Sequence, residues 1–95
     1  MTFVDTSLIA IDGFGKELDS MHLFWIDGSQ VLQDFRGRMK AVDPLVSRCH
    51  LTKDEAADYF AGKPSVVADR SADFNDRLKN LLEVGRSYII EVSEW

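Results

Sequence analysis

The first 26 residues alternate between short apolar runs and a glycine-containing turn, which is the pattern of a β-hairpin. Residues 2–12 end in the apolar run LIAI, and residues 18–26 end in the run LFWI. Consecutive apolar side chains are typical of strands that are covered on both faces. The segment 12–15 between them contains two glycines, which adopt the positive φ of a tight connection without steric cost. We therefore predict two paired strands at the start of the chain.

Two interpretations compete for the residues that follow these strands. An Asp-Gly pair between apolar runs signals a hairpin turn, which would make residues 30–36 a third strand. The alternative is a helix over residues 30–42 that Ser29 caps, because apolar side chains recur there at helical spacing. These apolar side chains are Val31, Leu32, Phe35, Met39 and Val42. We favour the helix, although Gly37 weakens it, and Pro44 ends either element.

The residue pattern in the second half of the chain predicts a short strand, two capped helices and a closing strand. These elements occupy, in order, residues 45–51, 52–62, 71–85 and 88–92. Thr52 and Glu55 form a capping box at the start of the first helix, and Gly62 ends it. Ser71 caps the second helix, which Gly85 ends.

This order of elements indicates an α+β fold. We expect a small, mostly antiparallel sheet of three to four strands, with two to three helices packed on one of its faces. Ninety-five residues, of which 45% are hydrophobic, suffice for one compact domain that spans residues 1–95. The closing strand, residues 88–92, must pair with a strand of that sheet whose edge is still free.

Several classes of protein do not fit the sequence. The longest apolar runs contain four residues, whereas a membrane-spanning helix needs about twenty, so we expect no membrane partner. The N-terminal segment lacks the basic residues of a secretory signal. The one cysteine, Cys49, excludes an internal disulfide and favours a reducing compartment, so the expected location is the cytoplasm.

Charge is unevenly distributed along the chain. Residues 1–34 contain six acids and one base, and residues 54–95 contain nine acids and five bases. Between them, residues 35–53 contain five bases and one acid. The net charge of −5 argues against direct nucleic-acid binding and favours a protein partner with a basic surface.

The basic segment contains Arg36, Arg38 and Lys40, which are candidate contacts for a phosphate or an acidic partner. Guanidinium groups suit both kinds of anion, because their paired donors match two oxygens. The simpler interpretation is a solvated helix face whose bases pair with neighbouring acids.

The sequence contains no motif for catalysis, a cofactor or a metal ion. The segment AGKPS resembles the end of a phosphate-binding loop, but Pro64 stands where Ser or Thr is required, so we interpret it as a helix end. DRSAD begins like a calcium loop, but Phe74 takes the place of the required glycine. One cysteine and two histidines without paired spacing do not predict a zinc site. We therefore expect neither an enzyme nor a cofactor-binding protein.

Cys49 and His50 support an alternative, a small Cys-dependent enzyme or redox protein. Adjacent residues of a strand point to opposite faces, so His50 is poorly placed to activate the thiol. His22 lies in an apolar strand, where we expect it to be packed in the core rather than to act as a base.

Two aromatic residues occupy positions where side chains are often exposed. Phe14 lies between two glycines of the first turn, and Trp95 is the last residue of the sequence. Each packs onto the core or binds a partner, since aromatic side chains are common anchors at interfaces.

These observations favour a non-enzymatic binding protein that inhibits or regulates a larger protein by occluding a basic functional surface. Small size, acidity and the lack of catalytic groups match phage or bacterial inhibitors, immunity proteins and antitoxins, a likeness of composition only. The candidate partner-binding residues are Asp12, Phe14, Glu17, Asp19, Asp54, Glu55, Asp58, Glu91, Glu94 and Trp95. A further alternative is a subunit of a multiprotein or homo-oligomeric assembly, such as a homodimer joined through the closing strand or Trp95.

Overall fold

The structure is a computed structural model that describes residues 4–23, 28–61 and 72–94. Its elements, in chain order, are β1 Val4–Ile11, β2 Glu17–His22, α1 Gly28–Asp34, β3 Lys40–Asp43, β4 Val46–Thr52, α2 Lys53–Ala61, α3 Ala72–Val84 and β5 Ser87–Glu94. The predicted boundaries at Gly62 and Ser71, the apolar run 24–26 and the terminal Trp95 lie outside the described residues.

The α+β fold is confirmed, but the sheet has five strands rather than three to four. Its order is β2-β1-β5-β4-β3, and every pair of neighbours is antiparallel. The additional strand is β3, which comes from residues that we assigned to a helix. No helix in the described part of the chain is long and apolar enough to cross a membrane.

The predicted helix over residues 30–42 is correct only for residues 30–34. Helix α1 ends at Asp34 and a turn follows, in which Gly37 has a φ of 86°. Glycine adopts this left-handed conformation without a steric penalty, whereas other residues rarely do. The helix therefore stops before Met39, and the chain continues as strand β3.

The closing strand is confirmed and lies in the centre of the sheet. It pairs with β1 from Ile11↔Ser87 to Val4↔Glu94, and with β4 from Thr52↔Ser87 to Val46↔Ser93. Because β5 has a neighbour on each side, it offers no free edge through which two copies could join. This corrects the expectation of a homodimer joined by the closing strand.

The hydrophobic core lies between one face of this sheet and the described helices. Its strand residues include Leu8, Ala10, Met21, Cys49, Leu51, Tyr88, Ile90 and Val92. Its helix residues include Val31, Ala56, Phe60, Leu78 and Leu81. Side chains of a strand alternate between faces, so Ile9 and Ile11 point away from this core.

Both edge strands have features that oppose pairing with another chain. In β2, the amide of Ser20 donates to its neighbour Asp19 Oδ1 at 2.8 Å, and Arg77 Nη2 donates to the Ser20 carbonyl at 3.3 Å. In β3, a bulge interrupts the register between Ala41 and Asp43. Occupied backbone groups and bulges make an edge a poor template for strand addition.

Tyr88 connects β5 to the end of helix α3. Its hydroxyl donates to the Leu81 carbonyl at 2.6 Å and accepts from the Gly85 amide at 3.1 Å. A Cβ on Gly85 would lie 2.7 Å from the Tyr88 ring, so only glycine fits there. The predicted helix end at Gly85 therefore depends on a contact with the next strand.

Two buried hydroxyl groups allow a matched test of this arrangement. Tyr88→Phe removes a hydroxyl with two hydrogen bonds, whereas Thr6→Val removes a buried hydroxyl that has no hydrogen-bond partner among the described residues. We expect Tyr88→Phe to lower the free energy of unfolding by about 1–3 kcal/mol and Thr6→Val to leave it unchanged or raise it. Urea denaturation measures both, and equal losses in the two variants would contradict the described contacts.

Candidate functional site

The turn between β1 and β2 is built by the side chain of Asp12. Its Oδ1 accepts hydrogen bonds from the amides of Phe14 at 2.8 Å and Lys16 at 2.9 Å. The Asp12 amide donates to the Lys16 carbonyl at 2.9 Å, and Gly15 has a φ of 82°. We call residues 12–19 the β1–β2 tip. Its shape depends on these local hydrogen bonds rather than on burial.

Two apolar side chains of the β1–β2 tip face the solvent. Phe14 is 98% exposed, and Leu18 is 50% exposed. Asp19 pairs with Ala10 while Glu17 pairs with Ile11, so Leu18 is the extra residue of a bulge. A phenyl ring left almost wholly in water on an ordered turn is a candidate anchor for a partner.

The acids of the β1–β2 tip differ in what they do for the fold. Asp12 holds the turn, and Asp19 binds the Ser20 amide. Glu17 is exposed at the start of β2. A change of charge at Glu17 therefore tests electrostatic attraction with the least disturbance of the turn.

Glu55, on helix α2, is the centre of a structural network. It completes the predicted capping box, because the Glu55 amide donates to Thr52 Oγ1 at 3.2 Å and Glu55 Oε1 accepts from the Thr52 amide at 3.1 Å. Both Nη atoms of Arg38 donate to its carboxylate, and Arg38 Nη2 also donates to the His50 carbonyl at 3.0 Å. The hydrogen bonds from Arg38 lower the pKa of Glu55 to about 2. This carboxylate and this guanidinium are therefore already engaged with each other.

The other predicted basic contacts lie on β3 and in the turn before it. Arg36 is exposed in that turn, and Lys40 is directly opposite Arg48 of β4. Arg48 Nε in turn donates to Glu91 Oε2 at 2.7 Å. The three bases Arg36, Arg38 and Lys40 thus have different surroundings and do not share one helix face.

Of the ten predicted partner-binding residues, Trp95 lies outside the described residues, and the other nine do not form one surface. Asp12 follows Ile11, and Asp54 follows Thr52 by two positions, so both lie at the end of the sheet where β5 begins. Strands β1 and β4 flank β5, so these two strands are about 10 Å apart. Glu94 is at the opposite end of β5, across from Val4. Of the other acids in this set, Asp58 is exposed on α2, and Glu91 forms an ion pair with Arg48.

The thiol of Cys49 is buried in the core. Burial raises its pKa, which disfavours the reactive thiolate. His50 points to the opposite face, where its Nε2 lies 3.4 Å from Ser87 Oγ. This geometry weighs against the Cys-dependent alternative.

His22 is exposed rather than packed in the core, which corrects our expectation. It follows the buried Met21 on β2, so its side chain points to the other face of the sheet. Its Nε2 lies 3.4 Å from Asp5 Oδ1. The described residues include no group of three or more side chains that could hold a metal ion.

We found no match to this chain among models of known protein families, curated proteins or solved structures. Its functional interpretation therefore depends on the geometry above, in which the clearest feature is an exposed aromatic ring on an ordered acidic turn.

The ion pair between Arg38 and Glu55 predicts a pH-dependent stability. Folding lowers the pKa of Glu55 from 4.5 to about 2. The ionised Glu55 therefore stabilises the folded state fully at a pH above its unfolded pKa of 4.5, and this stabilisation is lost as the pH falls toward about 2. We expect the difference in unfolding free energy between the wild type and Glu55→Gln to shrink over that window. Asp58→Asn, on the same helix, is the control, and denaturation at several pH values is the measurement. A difference that does not change with pH would contradict the pairing.

Proposed function

We propose that this protein is a non-enzymatic binding protein that docks its β1–β2 tip onto a basic surface of a larger protein. Phe14 is the anchor of this contact, and its 98% exposure is the observation that carries the proposal. The hydrogen bonds from Asp12 support it, because a turn that is ordered before binding loses little conformational entropy on binding.

The charge of the β1–β2 tip supports a basic partner. Glu17 and Asp19 are exposed beside Phe14, whereas Lys16 is the one base of the turn. Acidic groups around an apolar anchor accelerate encounter with a cationic surface and disfavour acidic partners.

Occlusion is the mode of action that follows from this docking. A basic surface on an intracellular protein commonly binds an anionic ligand, and a bound acidic turn competes with that ligand for the same charges. The protein would therefore inhibit or regulate its partner without performing chemistry. We place this activity in the cytoplasm, where a single reduced cysteine is the common state.

Removal of the Phe14 ring tests the proposal. Wild-type protein, Phe14→Ala and the control Val42→Ala are immobilised at equal density, and proteins captured from native-host lysate are quantified by mass spectrometry. Val42 is also an exposed apolar side chain, at 59%, but it lies on β3, the edge strand opposite β2. We expect a protein that the wild type and the control retain equally and that Phe14→Ala retains at least about tenfold less, as for an interface hot spot.

Glu17→Lys provides the electrostatic arm of the same experiment. It should weaken capture of that protein at low salt and have little effect at high salt, because screening shortens the range of the attraction. All variants should retain the wild-type melting temperature. Capture that is unchanged by both Phe14→Ala and Glu17→Lys would refute docking through the β1–β2 tip.

A further inference from the structure

The phenyl ring of Phe14 is open to solvent on both of its faces. Almost the whole side chain is exposed, so neither a second ring nor a cation of the described residues lies against it. The face of an aromatic ring attracts cations, because its quadrupole is negative there. The ring therefore offers free faces on which a cationic side chain of a partner can stack.

The three acids of the β1–β2 tip differ in how far their carboxylates are already occupied. Asp12 Oδ1 accepts two backbone amides, and Asp19 Oδ1 accepts one. Glu17 is exposed, and its carboxylate makes no hydrogen bond and no ion pair with the described residues. Glu17 is therefore the acid of the tip whose two oxygens are both available to a partner.

The turn holds this ring and this carboxylate close together. The amides of Phe14 and Lys16 both donate to Asp12 Oδ1, which keeps the backbones of these two residues near each other, and Glu17 directly follows Lys16. A ring and a carboxylate in this arrangement can contact one and the same side chain of a partner. Because the turn is ordered before binding, such a contact costs little conformational entropy on this side.

We propose that the β1–β2 tip recognises an arginine of its partner, whose guanidinium stacks on Phe14 and pairs with the carboxylate of Glu17. This inference rests on the proposed function and names the chemistry of the basic surface. A guanidinium is planar, so its face covers a ring while the donors on its edge bind two carboxylate oxygens. A lysine ammonium is a compact, strongly hydrated charge without a flat face, so it does not combine stacking with a two-oxygen pair.

The preference for arginine over lysine is the quantity that tests the proposal. An exposed contact between a cation and a ring changes affinity by only about two- to fivefold, so the absolute affinity for one side chain is low. Lys16, the one base of the tip, repels arginine and lysine alike. A comparison between the two cations therefore cancels its effect.

Titration with hexa-arginine and hexa-lysine peptides measures this preference in the purified protein. The two peptides have the same charge and length, so attraction to the net charge of the protein is the same for both. ¹H–¹⁵N NMR spectra report binding at the amides of Phe14 and Glu17. We expect hexa-arginine to bind at the tip with a dissociation constant at least about threefold lower than that of hexa-lysine.

Matched variants assign this preference to the two side chains. Phe14→Leu keeps an apolar side chain but removes the ring, and Glu17→Gln keeps the size but removes the charge. Each should bring the ratio of the two dissociation constants close to one. Phe14→Tyr, which keeps the ring, and Val42→Ala, on β3, should retain the wild-type ratio. Circular dichroism verifies that each variant is folded.

Three results would overturn the proposal. They are equal dissociation constants of the two peptides for the wild type, no shift of the Phe14 and Glu17 amides, and a preference that survives either Phe14→Leu or Glu17→Gln. These results are independent of capture from lysate, because the peptides are the only ligands present. A tip that captures a protein through Phe14 but does not prefer arginine would refute this inference and leave the proposed function standing.

Discussion

Pairing of the last strand, β5, with both β1 and β4 is the interaction on which the rest of the structure depends. Without β5, the described sheet would be two separate hairpins, β1–β2 and β3–β4, and isolated two-stranded hairpins are marginal in water. The pairs Leu8↔Ile90 and Cys49↔Ile90 show how one residue of β5 joins both halves in the core. These contacts connect distant parts of the sequence, so the fold requires nearly the whole chain.

The two ends of β5 also hold the two exposed turns. At its start, the Arg86 amide donates to the Ile11 carbonyl at 2.9 Å, directly before the β1–β2 tip. At its end, the Glu94 amide donates to the Leu45 carbonyl at 2.7 Å, in the turn between β3 and β4. Both exposed turns are therefore attached to the most central strand. Their local order comes from a side chain of Asp12 or Asp43 that accepts backbone amides.

Features with a local signal could be predicted from the sequence, and features that depend on distant residues could not. The capping box at Thr52 and the turn around Phe14 are local, and both are present, although of the two glycines in that turn only Gly15 has the positive φ that we expected of both. Strand β3 was missed because helical spacing continues past Gly37, and the sequence does not show which φ that glycine adopts. The pairs Arg38–Glu55 and Arg48–Glu91 join residues that are 17 and 43 positions apart, so composition alone made these side chains look available for partners.

The central claim of this account is that Phe14 is displayed by an ordered turn rather than exposed by a mobile loop. Backbone ¹⁵N relaxation of Gly13, Phe14, Gly15 and Lys16 in the purified protein tests this claim directly. Because Asp12 binds the amides of Phe14 and Lys16, the account predicts order parameters of about 0.85, equal to those of the flanking strands. Values below about 0.6 in these four residues would contradict it.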